Sequence, residues 1–229
     1  MPGGKRTDRI SGRDLEVLEF IARYGVVPRD AVAVWADTAK TATQTRERRL
    51  AVAGLVEVSH PWGKEVGPFV NATRAGIRAC LLDELPVVRP SPAKLQHFAV
   101  CARLGARLES AGAQLLSERE LRAEERGWGK RVHSIRLRTR LHRPDLMRVG
   151  QLTIPIEVEL TRKAQGRLEE IVRLWRRAVD EERFQAVHYY CAPTVAPYVH
   201  RAVDRAGAED QIRVEALPEE DLLATSLFG

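Results

Sequence analysis

The densest chemistry in the chain lies in two short stretches, His142-Arg143-Pro144-Asp145 and IPIEVELTRK at 154–163. Strand alternation turns Ile154, Ile156, Val158 and Leu160 to one side and Glu157 with Glu159 to the other. Two neighbouring carboxylates repel, so the pair makes sense where a cation or a basic side chain compensates. A hairpin through Val149-Gly150-Gln151 would set Asp145 beside Glu157, and Lys163 follows at the start of the next helix. Asp, Glu and Lys around one point can hold Mg²⁺ and orient a water against a phosphodiester, with Asp145 and Glu157 as the metal ligands. Mg²⁺ is needed only if the site is catalytic. A salt bridge from Lys163 or Arg167 would offset the same repulsion without chemistry.

A second constellation occupies TATQTRERRLAVAGLV at 41–56. Thr41, Gln44, Thr45 and Arg48 fall at i, i+3, i+4 and i+7, so on a helix they share one face. Polar, hydrogen-bonding residues on one helical face suit the edges of base pairs in a DNA major groove. Ala42, Leu50 and Ala53 are expected to form the buried back of that helix. Lys40, Arg46 and Arg49 could reach phosphates, and Lys64 sits at the tip of a turn, Pro61-Trp62-Gly63-Lys64. Composition points the same way: 37 Lys+Arg against 31 Asp+Glu give a net charge of +6, and such an excess favours a polyanion. Double-stranded DNA is therefore the expected partner. A protein-interaction adaptor without DNA binding is the rival from another class.

Other functions are argued against. No run approaches the roughly 18 apolar residues of a membrane span, and the polar N-terminus lacks an apolar signal core, so a cytoplasmic protein is expected. The 3 cysteines lack CxxC spacing, and the 6 histidines form no HxxxH or HxH pair, which speaks against a zinc cluster. No glycine-rich phosphate loop is present, so no nucleotide cofactor is expected. Trp62 and Trp128 could stack on bases or anchor their loops. Homodimerisation is left open.

The elements that must position these groups fall into two parts. LPVVRPSP at 85–92 carries three prolines and reads as a linker, dividing 1–84 from 93–229. The first part reads as helices over 14–24, 28–36 and 40–53, two short strands around the 61–64 turn, and a fourth helix from Thr73. The second opens with a long helix, 93–112, and a short strand, QLLSER, which carries Glu118. The charged stretch 120–140 reads as partly mobile. Two strands then bear Asp145 and Glu157, followed by an amphipathic helix over 163–181, a buried strand FQAVHYYCA, a helix over 196–206 and a last strand QIRVEAL.

The first part resembles a winged helix–turn–helix. The resemblance rests on Leu50, Gly54, Leu55 and Val56 at the exit of the third helix, and on Ala72-Thr73-Arg74-Ala75-Gly76 at the exit of the wing. The second part resembles the PD-(D/E)xK nuclease core. Pro144-Asp145 and Glu157 match that pattern by position, whereas Glu159 stands where it carries lysine. Lys163 would then serve as a migrated lysine and Glu118 as an additional upstream acid. The departure at 159 makes weak or absent cutting the expectation, with a Mg²⁺-dependent endonuclease or nickase as the alternative. The combination is similar to the replication–relaxation family of actinobacterial plasmids and mobile elements. It implies an α/β (α+β) chain, a winged helix followed by a restriction-endonuclease-like domain with a mixed central sheet. It also implies sequence-specific DNA binding in replication, relaxation or transcription regulation of such an element.

Overall fold

The computed structural model describes residues 9–61, 63, 67–89, 91–138 and 140–222. Helix α1 (Gly12–Tyr24) starts in a capping box: the Ser11 side chain accepts from the Asp14 amide, and the Asp14 carboxylate accepts from the Ser11 amide. Two otherwise orphaned donors are thereby satisfied. Its apolar face, Val17, Leu18, Phe20 and Ile21, is fully buried. Strand β1 (Val26–Pro28), helices α2 (Arg29–Trp35) and α3 (Lys40–Val52), strands β2 (Val56–Ser59) and β3 (Phe69–Ala72) and helix α4 (Arg74–Ala79) follow. The three strands form an antiparallel sheet in the order β1-β3-β2.

Strand β1 departs from the sequence expectation, in which Pro28 opens a helix. Two β-branched valines precede it and pair with Asn71 and Val70, so Pro28 closes a strand before α2 begins. The turn into α4 is held by Thr73, whose hydroxyl accepts from the Gly76 amide and donates to the Gly54 carbonyl. Gly76 is required there: a Cβ would lie 2.1 Å from the Leu55 carbonyl oxygen.

The chain continues through α5 (Pro92–Ser110), β4 (Gln114–Ser117), α6 (Glu118–Trp128), β5 (Ile135–Arg136), β6 (Leu141–His142), β7 (Leu146–Val149) and β8 (Ile154–Glu159). It ends with α7 (Gln165–Asp180), β9 (Val187–Cys191), α8 (Ala196–Ala206) and β10 (Ile212–Ala216). Five strands form one sheet in the order β10-β9-β8-β7-β4. The α7 and α8 crossovers make β8, β9 and β10 parallel, whereas β7 and β4 run antiparallel. Parallel neighbours need such crossovers because a hairpin cannot join them. The chain is thus mixed α/β, with eight α-helices and a mixed central sheet among the described residues. No helix among them is long and apolar enough to cross a membrane.

The stretch expected to be mobile is ordered in its first half as α6. Charge density masked a second capping box, in which Ser117 accepts from the Glu120 amide and Glu120 accepts from the Ser117 amide. Leu121 is fully buried on the inner side of that helix. Glu118, expected on a strand, is therefore the first residue of α6.

The two faces of the large sheet belong to different cores. Leu115, Leu146, Ile156 and Val158 join α5 and α1 in one apolar cluster, while Met147, Tyr189 and Cys191 join α7 and α8 in another. The first cluster runs across 85–92, where Leu85 is fully buried. Glu109 of α5 accepts from Arg23, Tyr24 and the Trp35 indole at 3.0, 2.9 and 2.7 Å. Arg103 of α5 pairs with Asp30 at 2.6 Å. Close approach is set by Gly105, where a Cβ would lie 2.1 Å from the Tyr24 hydroxyl.

Candidate functional site

The first candidate surface is α3. Lys40, Thr41, Gln44, Thr45 and Arg48 are all exposed along it. Lys40, Thr41 and Gln44 border a hollow completed by Arg29, Asp30 and Pro68. The buried back of the helix differs from expectation. Ala42 and Ala53 are exposed, and the inner positions are Thr43, Glu47 and Leu50. A helix with polar inner positions needs built partners. Arg29 meets Glu47 at 2.6 Å, and Thr43 bonds Thr38 at 3.0 Å.

Arg46 and Arg49 are turned inward as well. They bond the two oxygens of fully buried Asp14 at 3.1 and 2.8 Å. Burial alone would raise the Asp14 carboxyl, but bonds from Ser11 and Arg49 hold it down at about 2. These two arginines anchor α3 onto α1 through Asp14, a pairing not expected for side chains read as phosphate contacts. Lys64 and Trp62 lie outside the described residues.

The second candidate surface is the C-terminal end of β8. A cavity of about 230 Å³ there is lined by His97, Asp145, Glu157, Glu159 and Lys163, among others. Four of the expected site residues therefore share one cavity. Glu118 does not: it is half-exposed at the start of α6 and pairs with Arg122 at 2.5 Å.

Hairpin pairing brings Asp145 to β8, where its amide donates to the Ile156 carbonyl. Both Asp145 oxygens are engaged, one by His97 Nε2 at 2.8 Å and one by the Val158 amide at 2.7 Å. Burial would raise this carboxyl, yet His97 and the amide hold it below the usual carboxylate range. Glu157 is buried and accepts on one oxygen from the Trp175 indole at 2.9 Å, with His142 Nε2 at 2.7 Å from the same atom. Glu159 is ion-paired with Lys163. Burial outweighs that partner and pushes the Glu159 carboxyl up to about 7. Desolvation pulls Lys163 down, but Glu157 and Glu159 hold it above its ordinary range.

Mg²⁺ asks for oxygen ligands in near-octahedral array and keeps several waters. Here Asp145 gives both oxygens to protein donors, and Glu157 and Glu159 are each tied to a cationic or indole partner. Among the described residues the compact three-ligand group is His97, Cys101 and Asp145, whose ligand atoms lie within 4.8 Å of one another.

The sequence does not single out His97, Cys101 or Trp175 as site residues. His97 and Cys101 stand four apart on α5, a mixed His-x₃-Cys spacing that a search for paired histidines or paired cysteines passes over. Trp175 belongs to an apolar helical stripe, and only its indole nitrogen reaches Glu157. The chain matches no protein-family model and no curated protein.

Proposed function

We propose that this chain is a double-stranded DNA-binding protein that docks α3 in the major groove. The reading makes the first 84 residues a winged helix–turn–helix. It makes the remainder a restriction-endonuclease-like domain retained mainly as a scaffold. The observation that carries it is the division of α3 by depth. Lys40, Thr41, Gln44, Thr45 and Arg48 stay exposed on one side, while Asp14 ties down Arg46 and Arg49 behind them. Groove recognition needs this arrangement, because the helix must be rigid while outer polar groups stay available. The Thr45 hydroxyl donates to the Thr41 carbonyl at 3.0 Å, which leaves Lys40, Thr41, Gln44 and Arg48 as the reading groups. The order α1–β1–α2–α3–β2–β3 also suits the reading. A role in replication, relaxation or regulation of a mobile element follows from the replication–relaxation resemblance and belongs to the same proposal.

The test is fluorescence anisotropy of the full chain on duplex DNA, first a random-sequence pool and then the sequences it enriches. Arg48→Ala should weaken the enriched duplex by about 1–3 kcal/mol, the range for a base-reading arginine. Lys40→Ala should weaken both pools alike and flatten the salt slope. Unchanged affinity in Arg48→Ala removes α3 from the groove.

One observation favours the endonuclease as a second reading: Asp145, Glu157, Glu159 and Lys163 line a single cavity. Nicking of supercoiled plasmid in Mg²⁺ or Mn²⁺ separates the two. No metal-dependent nicking is expected, since Glu159 replaces the lysine that would orient the attacking water. Nicking that disappears in Asp145→Ala would establish the enzyme.

A further inference from the structure

We propose that His97, Cys101 and Asp145 form a binding site for a borderline-soft divalent metal ion of the zinc class. The imidazole nitrogen, the sulfur and a carboxylate oxygen lie within 4.8 Å of one another. His97 and Cys101 project from the same side of α5, a helix of 19 residues. Asp145 faces them from the position just before β7 and is oriented from behind by the Val158 amide at 2.7 Å. Two packed elements thus hold the ligands, and a backbone donor fixes the carboxylate in the way outer partners orient metal ligands.

The contact at the centre of the cluster carries the inference. His97 Nε2 lies 2.8 Å from Asp145 Oδ1 and 3.5 Å from Cys101 Sγ. One ring nitrogen, with at most one proton, faces both an oxygen and a sulfur. A helix-to-sheet ion pair would need only the carboxylate, with Cys101 serving as an apolar core residue. A metal ion at this point uses all three groups at once. It takes the place of the proton between His97 and Asp145 and of the Cys101 thiol proton, and both protons leave to solvent.

The donor set selects the ion. Sulfur with imidazole suits zinc-type ions, and magnesium or calcium would demand oxygens. Three protein ligands leave a fourth tetrahedral position for water or a bound group. His97 and Asp145 line the 230 Å³ cavity that also holds Glu159 and Lys163, so two of the three ligands open onto the same space as those side chains. This site does not depend on whether α3 binds DNA.

The probe is Co²⁺ added to the metal-stripped full chain, read by near-ultraviolet thiolate-to-cobalt charge transfer and visible tetrahedral bands. Both should appear in the wild type and persist in Cys191→Ser and Cys80→Ser. In Cys101→Ser the charge-transfer band should vanish. Cobalt affinity in that variant should fall at least about tenfold, the least that losing a supporting contact costs a metal site. Zn²⁺ should displace the cobalt, and excess Mg²⁺ should not. Circular dichroism of each variant checks folding, and His97→Ala provides a second removal if Cys101→Ser unfolds. Absence of the band in folded wild type overturns the site. So does its survival in Cys101→Ser or its displacement by Mg²⁺.

Discussion

The outer face of α3 and the mouth of β8 are both rich in polar side chains, but they use them in opposite ways. On α3 the groups are sorted by depth. Arg46 and Arg49 close on Asp14, while Arg48, Gln44 and Thr41 are left to solvent. At β8 the groups face one another: Asp145 with His97, Glu157 with His142 and Trp175, Glu159 with Lys163. Buried charges must be paired or shift their pKa, so in the absence of an added ion these groups satisfy one another. An exposed face keeps its hydrogen-bonding capacity for a macromolecule. The contrast explains why α3 carries the functional proposal, and why the β8 end offers a compact ligand cluster on its α5 side.

The largest expected effect tests whether the two regions are built as one unit. Glu109 is nearly buried and receives Arg23, Tyr24 and Trp35 at once. Glu109→Ala leaves the Tyr24 hydroxyl and the Trp35 indole without their acceptor, while Arg23 keeps Glu120 and the Leu115 carbonyl. Urea unfolding should register a loss of about 3–5 kcal/mol, from two donors left unsatisfied and a weakened ion pair. Glu109→Gln should lose less, because an amide oxygen still accepts. A loss below about 1 kcal/mol, the level of an exposed pair, would mean that the Glu109 network adds little to the hold of α5 on α1 and α2, leaving it to the apolar cluster and Arg103–Asp30.

The next effect sharpens the claim that the β8 acids are spent. Burial raises the Glu159 carboxyl to about 7 in the fold, against an ordinary value of 4.5. Between those values the folded chain binds more protons than the unfolded chain, so stability falls as pH rises through the window and levels off above it. His97 and His142 are raised from 6.5, so their losses begin only above that value. Lys163, raised from 10.5, acts far higher. Asp14 and Asp145 are lowered from 3.8, so they lose stability only on acidification below it. Glu47, raised from 4.5, Asp221, raised from 3.8, and His188, lowered from 6.5, also act near this window. They are common to both proteins, so the difference between wild type and Glu159→Gln over pH 4.5–6.5 isolates Glu159. It should amount to about 2–3 kcal/mol. A flat difference would show Glu159 ionised throughout and Lys163 fully compensating it.

Local pattern made much of this legible. The alternation of Ile154, Ile156 and Val158 against Glu157 and Glu159 follows from the two-residue period of a strand, and the sheet faces obey it. The hairpin that brings Asp145 to β8 followed from the Gly150 turn. What escaped depends on partners distant in sequence. Arg46 and Arg49 look like exposed phosphate contacts until Asp14, on another helix, is seen to hold them. Ala42 and Ala53 look like a buried back until the polar inner positions Thr43 and Glu47 prove to have Thr38 and Arg29. The pairing of His97 with Asp145 needed α5 to cross the end of β7, which periodicity cannot supply. The helix α6 is the exception, since Ser117-x-x-Glu120 was readable and was outweighed by the density of charge around it.

The smallest effect draws the line between the two kinds of arginine within α3 itself. Arg49 donates to Asp14 at 2.8 Å, so Arg49→Ala removes a bond to a buried carboxylate that keeps Arg46 and Ser11 as partners. A charge-assisted bond with surviving neighbours is worth about 1–2 kcal/mol, and the unfolding midpoint should drop accordingly. Arg48 lies one position earlier and is exposed. Arg48→Ala should leave stability within about 0.5 kcal/mol of wild type, as surface substitutions away from special features do. Binding should show the reverse order. Arg48→Ala weakens the enriched duplex directly, while Arg49→Ala acts only by loosening α3 on α1 and should affect enriched and random duplexes similarly. Paired urea melts and anisotropy titrations on the two variants measure both quantities. If Arg48→Ala destabilises the fold as much as Arg49→Ala, the outer face of α3 is itself part of the structure, and the division by depth that supports DNA binding does not hold.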